Sequence, residues 1–244
     1  KSVDIKADAS HLKEMEVKGT KTNELMTKFR LSILNDTPPQ EKKHAEDFIK
    51  ANTKSVVSLY LIRKYFFANS SPDYDKALSL LALLEKEQGK NPLFGKMKTW
   101  ATNTKNSCTG KQLPTFTAYD LNGKMVSSAD LSSAPVAVIY TWASFNYDSQ
   151  ELQRELKRRQ KKANGRLKLM GFCLDASKYD CKQNIKRDSI TSPTICNGEM
   201  MEDKTLNKLG LKSLPNIILL QNGKIIARGM KKQELYNKLD ELLK

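Results

Sequence analysis

The spacing of apolar positions along this chain changes once, near Thr104. Upstream, apolar residues recur three and four apart, as in Ala77, Leu80, Leu81 and Leu84, which is the stripe of an amphipathic helix. This spacing predicts helices over residues 23–34, 40–51, 55–68, 73–88 and 93–102. Ser71-Pro72 and Asn91-Pro92 each place a capping side chain before a proline at a first helical position, and Thr37-Pro38-Pro39 separates the first two helices. Ahead of them, residues 3–6 and 15–18 read as short strands, so residues 1–20 are expected to be the remnant of an upstream β-domain and 21–104 a helical region.

Downstream, Asn106-Ser107-Cys108-Thr109-Gly110 reads as part of a linker over residues 105–112, and then short apolar runs alternate with helical stretches. Strands are predicted at residues 115–119, 125–126, 135–141, 167–174, 216–221 and 224–228, and helices at 148–163, 178–187, 204–209 and 231–243. The runs VAVIY and LKLMGFCL are apolar on both faces, as in central strands covered on each side. Asn222-Gly223 is a hairpin turn, since both residues accept positive φ. The expected class is α/β: a mixed central sheet with helices on both faces, preceded by the helical region.

Composition narrows the functional classes. The 244 residues leave room for two domains, and no apolar run approaches the roughly 18 residues of a membrane span. With 42 Lys and Arg against 27 Asp and Glu, the formal net charge is +15, which favours polyanionic partners in general. However, the lysines are spread along the chain, and the densest run, residues 154–162 (RELKRRQKK), lies in a helical segment and reads as a solvated face. No zinc-finger spacing or aromatic RNA-stacking motif accompanies it, so nucleic acid is not expected; peripheral contact with an acidic surface is a weaker expectation. The four cysteines lack paired C-x-x-C spacing and the two histidines, His11 and His44, are distant, so no metal site and no cofactor is expected. The sequence starts at Lys1 without an initiator Met, which leaves room for a removed leader or upstream domain.

Several motifs in register carry a family resemblance. Leu113-Pro114-Thr115-Phe116, Asp120-Leu121-Asn122-Gly123-Lys124, Ser128-Ala129-Asp130-Leu131 and VAVIYTWAS resemble the entry of periplasmic thiol-disulfide oxidoreductases of the TlpA and ResA type, which related thiol-specific antioxidant proteins share. Residues 167–175 resemble the next strand, and Leu209-Gly210-Leu211-Lys212-Ser213-Leu214-Pro215 with NIILLQNGKII resembles the cis-proline loop and terminal hairpin. Residues 113–244 are thus expected to be a thioredoxin-like domain. The helical half, with Phe48-Ile49-Lys50-Ala51-Asn52 and Ser58-Leu59-Tyr60-Leu61, is similar to segments that precede this domain in some cell-envelope members.

In the family, Trp-Ala-Ser leads through one residue into C-x-x-C. Here the two sulfur positions fall on Asn146 and Ser149. The chemistry needs a thiolate activated at a helix N-terminus and a second sulfur to resolve the mixed disulfide, so Asn and Ser exclude exchange of the family type. Asn146 instead suits a helix N-cap, with Asp148 favourable in the first turn. A serine nucleophile at Ser149 needs a histidine base, and neither histidine lies in this half. Pro215 matches the family's cis-proline, whose loop pairs with extended peptide.

The remaining sulfurs are Cys108, Cys173, Cys181 and Cys196. Cys173, on a central strand, reads as an inert hydrophobe, and Cys108 as the odd sulfur of the linker. The resemblance places the loop of Cys196 beside the helix that Cys181 opens. A Cys181–Cys196 disulfide is therefore expected, closing a loop worth roughly 3 kcal/mol in the chain-entropy model and fitting an oxidising compartment. The alternative is a redox-active pair, with Lys182 lowering the Cys181 pKa.

The resemblance implies a periplasmic or cell-envelope protein, membrane-anchored if a leader was removed. Its expected role is redox-inactive binding or scaffolding of peptide or protein partners by Trp142, Phe145, Tyr147, Leu214, Pro215 and Asn216. The alternative is a thiol-disulfide oxidoreductase or antioxidant acting through Cys181 and Cys196.

Overall fold

The computed structural model describes residues 2–68 and 72–244. The chain divides into two compact units, Lys1–Thr102 and Asn103–Lys244.

In the first unit, β1 (Asp4–Lys6) and β2 (Glu16–Lys18) form a short antiparallel pair. The helices are α1 (Lys21–Ser32), α2 (Pro38–Ala51), α3 (Val56–Ile62), α4 (Tyr74–Gln88) and α5 (Pro92–Asn106), the last running into the second unit. Their starts are fixed by side chains. Thr20 Oγ1 accepts the Asn23 N–H at 3.1 Å, and Pro38 and Pro92 open helices where a missing N–H costs nothing. The Ser71 cap lies outside the described residues; α4 is capped by Asp73, whose Oδ1 accepts the Lys76 N–H at 2.9 Å. A single helix over residues 55–68 is expected from the spacing, but α3 passes into a π-helical turn, Arg63–Phe67. The wider turn accompanies burial of both neighbours Phe66 and Phe67, which a regular α-helix would point about 100° apart. Ile49, Leu61, Ile62, Phe66, Leu80, Leu81 and Leu84 fill the core.

The second unit is the mixed α/β sheet that the sequence predicts. Five strands, β5 (Val136–Trp142), β6 (Leu167–Cys173), β7 (Thr194–Ile195), β8 (Ile217–Gln221) and β9 (Lys224–Arg228), lie in the order β7-β6-β5-β8-β9. The first three are parallel, while β8 and β9 are antiparallel additions. The small hairpin β3 (Thr117–Tyr119) and β4 (Met125–Ser127) precedes α6 (Ser128–Ser132). The two-residue β7 gives no periodic signal and is not predicted. Helices α7 (Tyr147–Lys162), α8 (Lys178–Arg187), α9 (Lys204–Lys208) and α10 (Lys232–Leu242) complete the unit.

Alternate β5 side chains enter opposite cores. Ala137 and Ile139 pack with Leu131 of α6 and Leu206 of α9; Val138, Tyr140 and Trp142 pack with Leu152 and Leu156 of α7 and Leu235 of α10. Gly171 on β6 makes room for the large pair: a Cβ there would lie 3.0 Å from the Tyr140 hydroxyl and 3.3 Å from Trp142 Nε1. Asn222 and Gly223 take φ of 49° and 76° in the β8–β9 hairpin, as their types require.

The stretch expected as a linker is instead tied into this unit. The Gly110 N–H donates to the Ile225 carbonyl, the Ile225 N–H to Lys111 and the Leu113 N–H to Gly223, so the segment extends the sheet beyond β9. Ser107 is buried, and its hydroxyl donates to the Leu209 carbonyl at 2.8 Å.

Candidate functional site

β5, β6 and the loop before β8 bring three features to one edge of the sheet: the start of α7, the Pro215 loop and a group of sulfurs.

At the start of α7, Asn146 is the N-cap: its Oδ1 accepts the Ser149 N–H at 2.8 Å. The Ser149 hydroxyl is buried, accepts the Ala143 N–H at 3.1 Å and donates to the Asn146 carbonyl at 2.9 Å. The two positions where the resemblance expects sulfurs are thus occupied by groups that hydrogen-bond the turn itself. The flanking aromatics point outward: Phe145 is 70% and Tyr147 72% exposed, with the Arg154 guanidinium 5.8 Å from the Tyr147 ring. Trp142 behaves differently from the expectation. It is fully buried among Tyr140, Leu152 and Leu156, so it is a core residue and not part of a binding surface.

The Leu214–Pro215 bond is cis, as the resemblance implies. Thr141 at the end of β5 fastens this loop: its hydroxyl donates to the Ser213 carbonyl at 2.9 Å and accepts the Asn216 N–H at 2.7 Å, while its N–H donates to the Asn216 carbonyl. Asn216 spends its side chain within the loop, on Ser213 Oγ and the Ile217 N–H. The half-buried Leu214 has neither its N–H nor its C=O hydrogen-bonded among the described residues.

The run of cations on α7 is largely committed. Arg154 pairs with Asp188 at 3.1 Å, Arg158 and Arg159 pair with Glu155, and Arg159 also meets Asp240.

The sulfurs differ most from the sequence reading. The disulfide expected between Cys181 and Cys196 is not formed, and all four cysteines are free. Cys173, read as an isolated hydrophobe, joins the other two: the sulfurs of Cys173, Cys181 and Cys196 all lie within 4.8 Å of one another and all three residues are buried. They come from three rigid elements, the last residue of β6, the first turns of α8 and the residue after β7. Cys173 and Cys181 lie eight residues apart across the short β6–α8 connection, and Cys196, fifteen residues further on, joins them because β6 and β7 are parallel neighbours. That pairing carries no spacing signature, which is why a search for C-x-x-C misses the group.

The cluster joins the motif loop through Asp175. The Ser144 N–H donates to Asp175 Oδ1 at 2.9 Å, and Cys196 Sγ lies 3.6 Å from the Asp175 carbonyl. Asp175 Oδ2 is buried and takes no hydrogen bond among the described residues. Cys196 also lines a groove of about 610 Å³ together with Tyr119, Leu121, Lys178, Lys182 and Asn197.

Among the three thiols, Cys196 is the first to ionise. Hydrogen bonds from Cys173 and Cys181, the Gly198 N–H and the charge of Lys178 hold it below its ordinary value, against burial. Cys173 is pushed up by its hydrogen bonds to Cys181 and Cys196 and by burial. For Cys181, the hydrogen bond with Cys173 lowers the pKa but is outweighed by the one with Cys196 and by burial, so the net shift is upward. The expectation that Lys182 activates Cys181 therefore gives way to an activated Cys196. A lowered pKa means thiolate persists as pH falls beneath the ordinary 9.0. Below neutral pH, iodoacetamide labelling of the native, metal-free chain should concentrate on Cys196, as read by peptide mass spectrometry. Preferential labelling of Cys181 would contradict this order.

No family model and no curated protein matches the chain. Among solved structures, the C-terminal domain of a putative thiol-disulfide oxidoreductase from Bacteroides thetaiotaomicron is 26% identical, with 57% of this chain and 97% of that one covered at a TM-score of 0.49. A thiol-disulfide oxidoreductase from Bacteroides fragilis is 28% identical over 54% of this chain and 99% of that one, TM-score 0.48. A putative thiol:disulfide interchange protein DsbE from Chlorobium tepidum is 19% identical over 56% and 99%, TM-score 0.47. Little more than half of this chain is thus similar to solved thiol-disulfide oxidoreductases.

Proposed function

We propose that the second unit is a binding module of the cell envelope for an extended peptide or protein partner, and that it performs no thiol–disulfide exchange at its motif loop. The observation that carries this reading is Leu214, whose N–H and C=O are both unpaired among the described residues, in the cis-proline loop that Thr141 fastens to the end of β5. An extended peptide would satisfy both groups as an added strand does. Phe145 and Tyr147, at the nearby start of α7, offer apolar contact area. The envelope location rests on the motif resemblance; no helix among the described residues is long and apolar enough to cross a membrane.

Exchange through Cys181 and Cys196 is less well supported. Cys181 is fully buried and Cys196 is 6% exposed, so a protein disulfide has no approach to either sulfur. With dithiothreitol as reductant, the chain is expected to leave insulin unreduced above background, and Cys181→Ser to change nothing. Turnover lost in that variant would overturn the binding-only reading.

Peptides selected on the full chain from a random linear library should bind with Kd of about micromolar. The double substitution Phe145→Ala, Tyr147→Ala should weaken them about tenfold, or ~1.4 kcal/mol, by calorimetry. Selected peptides whose affinity ignores both side chains would sink the assigned surface.

A further inference from the structure

We propose that Cys173, Cys181 and Cys196 form a zinc site, with the Asp175 carboxylate supplying the oxygen donor for the fourth position. The proposal is independent of the peptide-binding reading, since it concerns the buried sulfurs rather than the Pro215 loop or the exposed rings of Phe145 and Tyr147.

Three observations converge on it. First, the sulfurs lie within 4.8 Å of one another. Around a Zn²⁺ ion with Zn–S of about 2.3 Å, tetrahedral ligands sit roughly 3.8 Å apart, so no sulfur pair needs to close by more than about 1 Å. A disulfide would instead bring two of these sulfurs to about 2.05 Å and leave the third unused. Second, Asp175 is 4% exposed and Oδ2 is unpartnered among the described residues, an expense that a buried carboxylate oxygen does not normally carry. Its other oxygen is held by the Ser144 N–H at 2.9 Å, the kind of outer hydrogen bond that orients a ligating carboxylate. The Asp175 carbonyl lies 3.6 Å from Cys196 Sγ, while its carboxylate lies outside the group of atoms within 4.8 Å of one another, so it reaches the fourth position by turning toward the ion. Third, Cys196 opens onto the groove bordered by Lys178 and Lys182, which gives an ion a way in.

The donor set selects the metal. Three thiolates and a carboxylate carry four negative charges, and in an apolar surrounding a divalent ion leaves less uncompensated charge than a monovalent one. Zinc is ordinarily four-coordinate, and the set offers three sulfurs and one oxygen. Cu(I), the other thiophilic candidate, accepts three sulfurs alone and gives Asp175 no part. On binding, each cysteine that enters as a thiol gives its proton to solvent, so uptake releases protons and strengthens with pH.

The test uses the full, reduced chain under anaerobic conditions, titrated with Zn²⁺ against a chromophoric chelator and with Co²⁺ as a spectroscopic reporter. One equivalent should bind, with Co²⁺ giving the intense visible bands of a tetrahedral site and a sulfur-to-metal charge-transfer band. Each of Cys173→Ser, Cys181→Ser and Cys196→Ser should lower Zn²⁺ affinity at least 100-fold, Asp175→Asn about 10- to 100-fold with shifted Co²⁺ bands, and Cys108→Ser not at all. Circular dichroism of each variant establishes that loss of binding is not loss of fold. Absence of uptake by the folded reduced chain would overturn the proposal. So would Asp175→Asn binding like wild type, a Cu(I) complex that Zn²⁺ at matched buffering cannot form, or a Cys181–Cys196 disulfide that persists under reductant.

Discussion

The double substitution Asn146→Cys, Ser149→Cys is expected to install a dithiol at the start of α7 and to move dithiothreitol-driven insulin reduction from background to clear turnover. Asn146 is the N-cap of α7 and Ser149 lies three residues on, so both replacements sit at the positive end of a 16-residue helix. A thiol at such a position ionises near pH 7 instead of at about 8.5, because the helix N-terminus stabilises the thiolate. Asn146→Cys alone should form a mixed disulfide with a small disulfide reagent and stop there, since the resolving sulfur is missing. The variant has a cost. Ser149 Oγ now bonds the Ala143 N–H and the Asn146 carbonyl, and a thiol replaces these poorly, at about 1–2 kcal/mol. Thermal melting therefore accompanies the assay. A folded variant whose two new thiols titrate as a disulfide yet leave insulin intact would show that the loop lacks the approach which exchange requires.

Arg228→Ala should be the most damaging single change outside the apolar cores. One guanidinium on β9 donates to the carbonyl and hydroxyl oxygens of Ser107 at 2.6 and 2.7 Å and to the carbonyls of Leu209 and Gly210, both at 3.1 Å. It therefore fixes the end of the segment that extends the sheet and the turn that leads into the Pro215 loop. Losing it strands several acceptors at once, and a charged hydrogen-bond donor of this kind is worth roughly 1.5–3 kcal/mol per bond before non-additivity, so a loss of about 2–4 kcal/mol is expected. Arg228→Lys should recover little, because one ammonium cannot span four acceptors arranged for a planar fork. Denaturant unfolding checks both variants. A change under 1 kcal/mol for Arg228→Ala would mean that water replaces the network.

Periodic elements are the legible part of this chain. Strands such as Val136–Trp142 and Lys224–Arg228 and the helix Lys178–Arg187 follow from spacing and turn residues, because their side chains answer to local geometry. The cap at Asn146 is equally local and readable. Three things are not. Trp142 reads as a surface residue because its motif neighbours are; its burial is decided by strand alternation against α7. Residues 105–112 read as a linker from the stretch Asn106-Ser107-Cys108-Thr109-Gly110, whereas Ser107, Gly110 and Lys111 make hydrogen bonds to β9 and Arg228, more than 100 residues away in sequence. The thiol group depends on parallel pairing of β6 with a two-residue strand that has no pattern at all. Non-local pairing decides each of these, and a single sequence does not display it.

The hydrogen bonds of Asn146 and Ser149 bear on how the loop tolerates change. In an exchange enzyme, the two motif positions hold reactive groups at a cost in stability, and a library selected only for folding would drift away from them. Here those positions satisfy backbone groups, one of them with no exposure to solvent. A folding-only selection should therefore guard Ser149 as strictly as a core leucine while leaving the exposed rings of Phe145 and Tyr147 free to vary. A selection for partner binding should reverse that ranking.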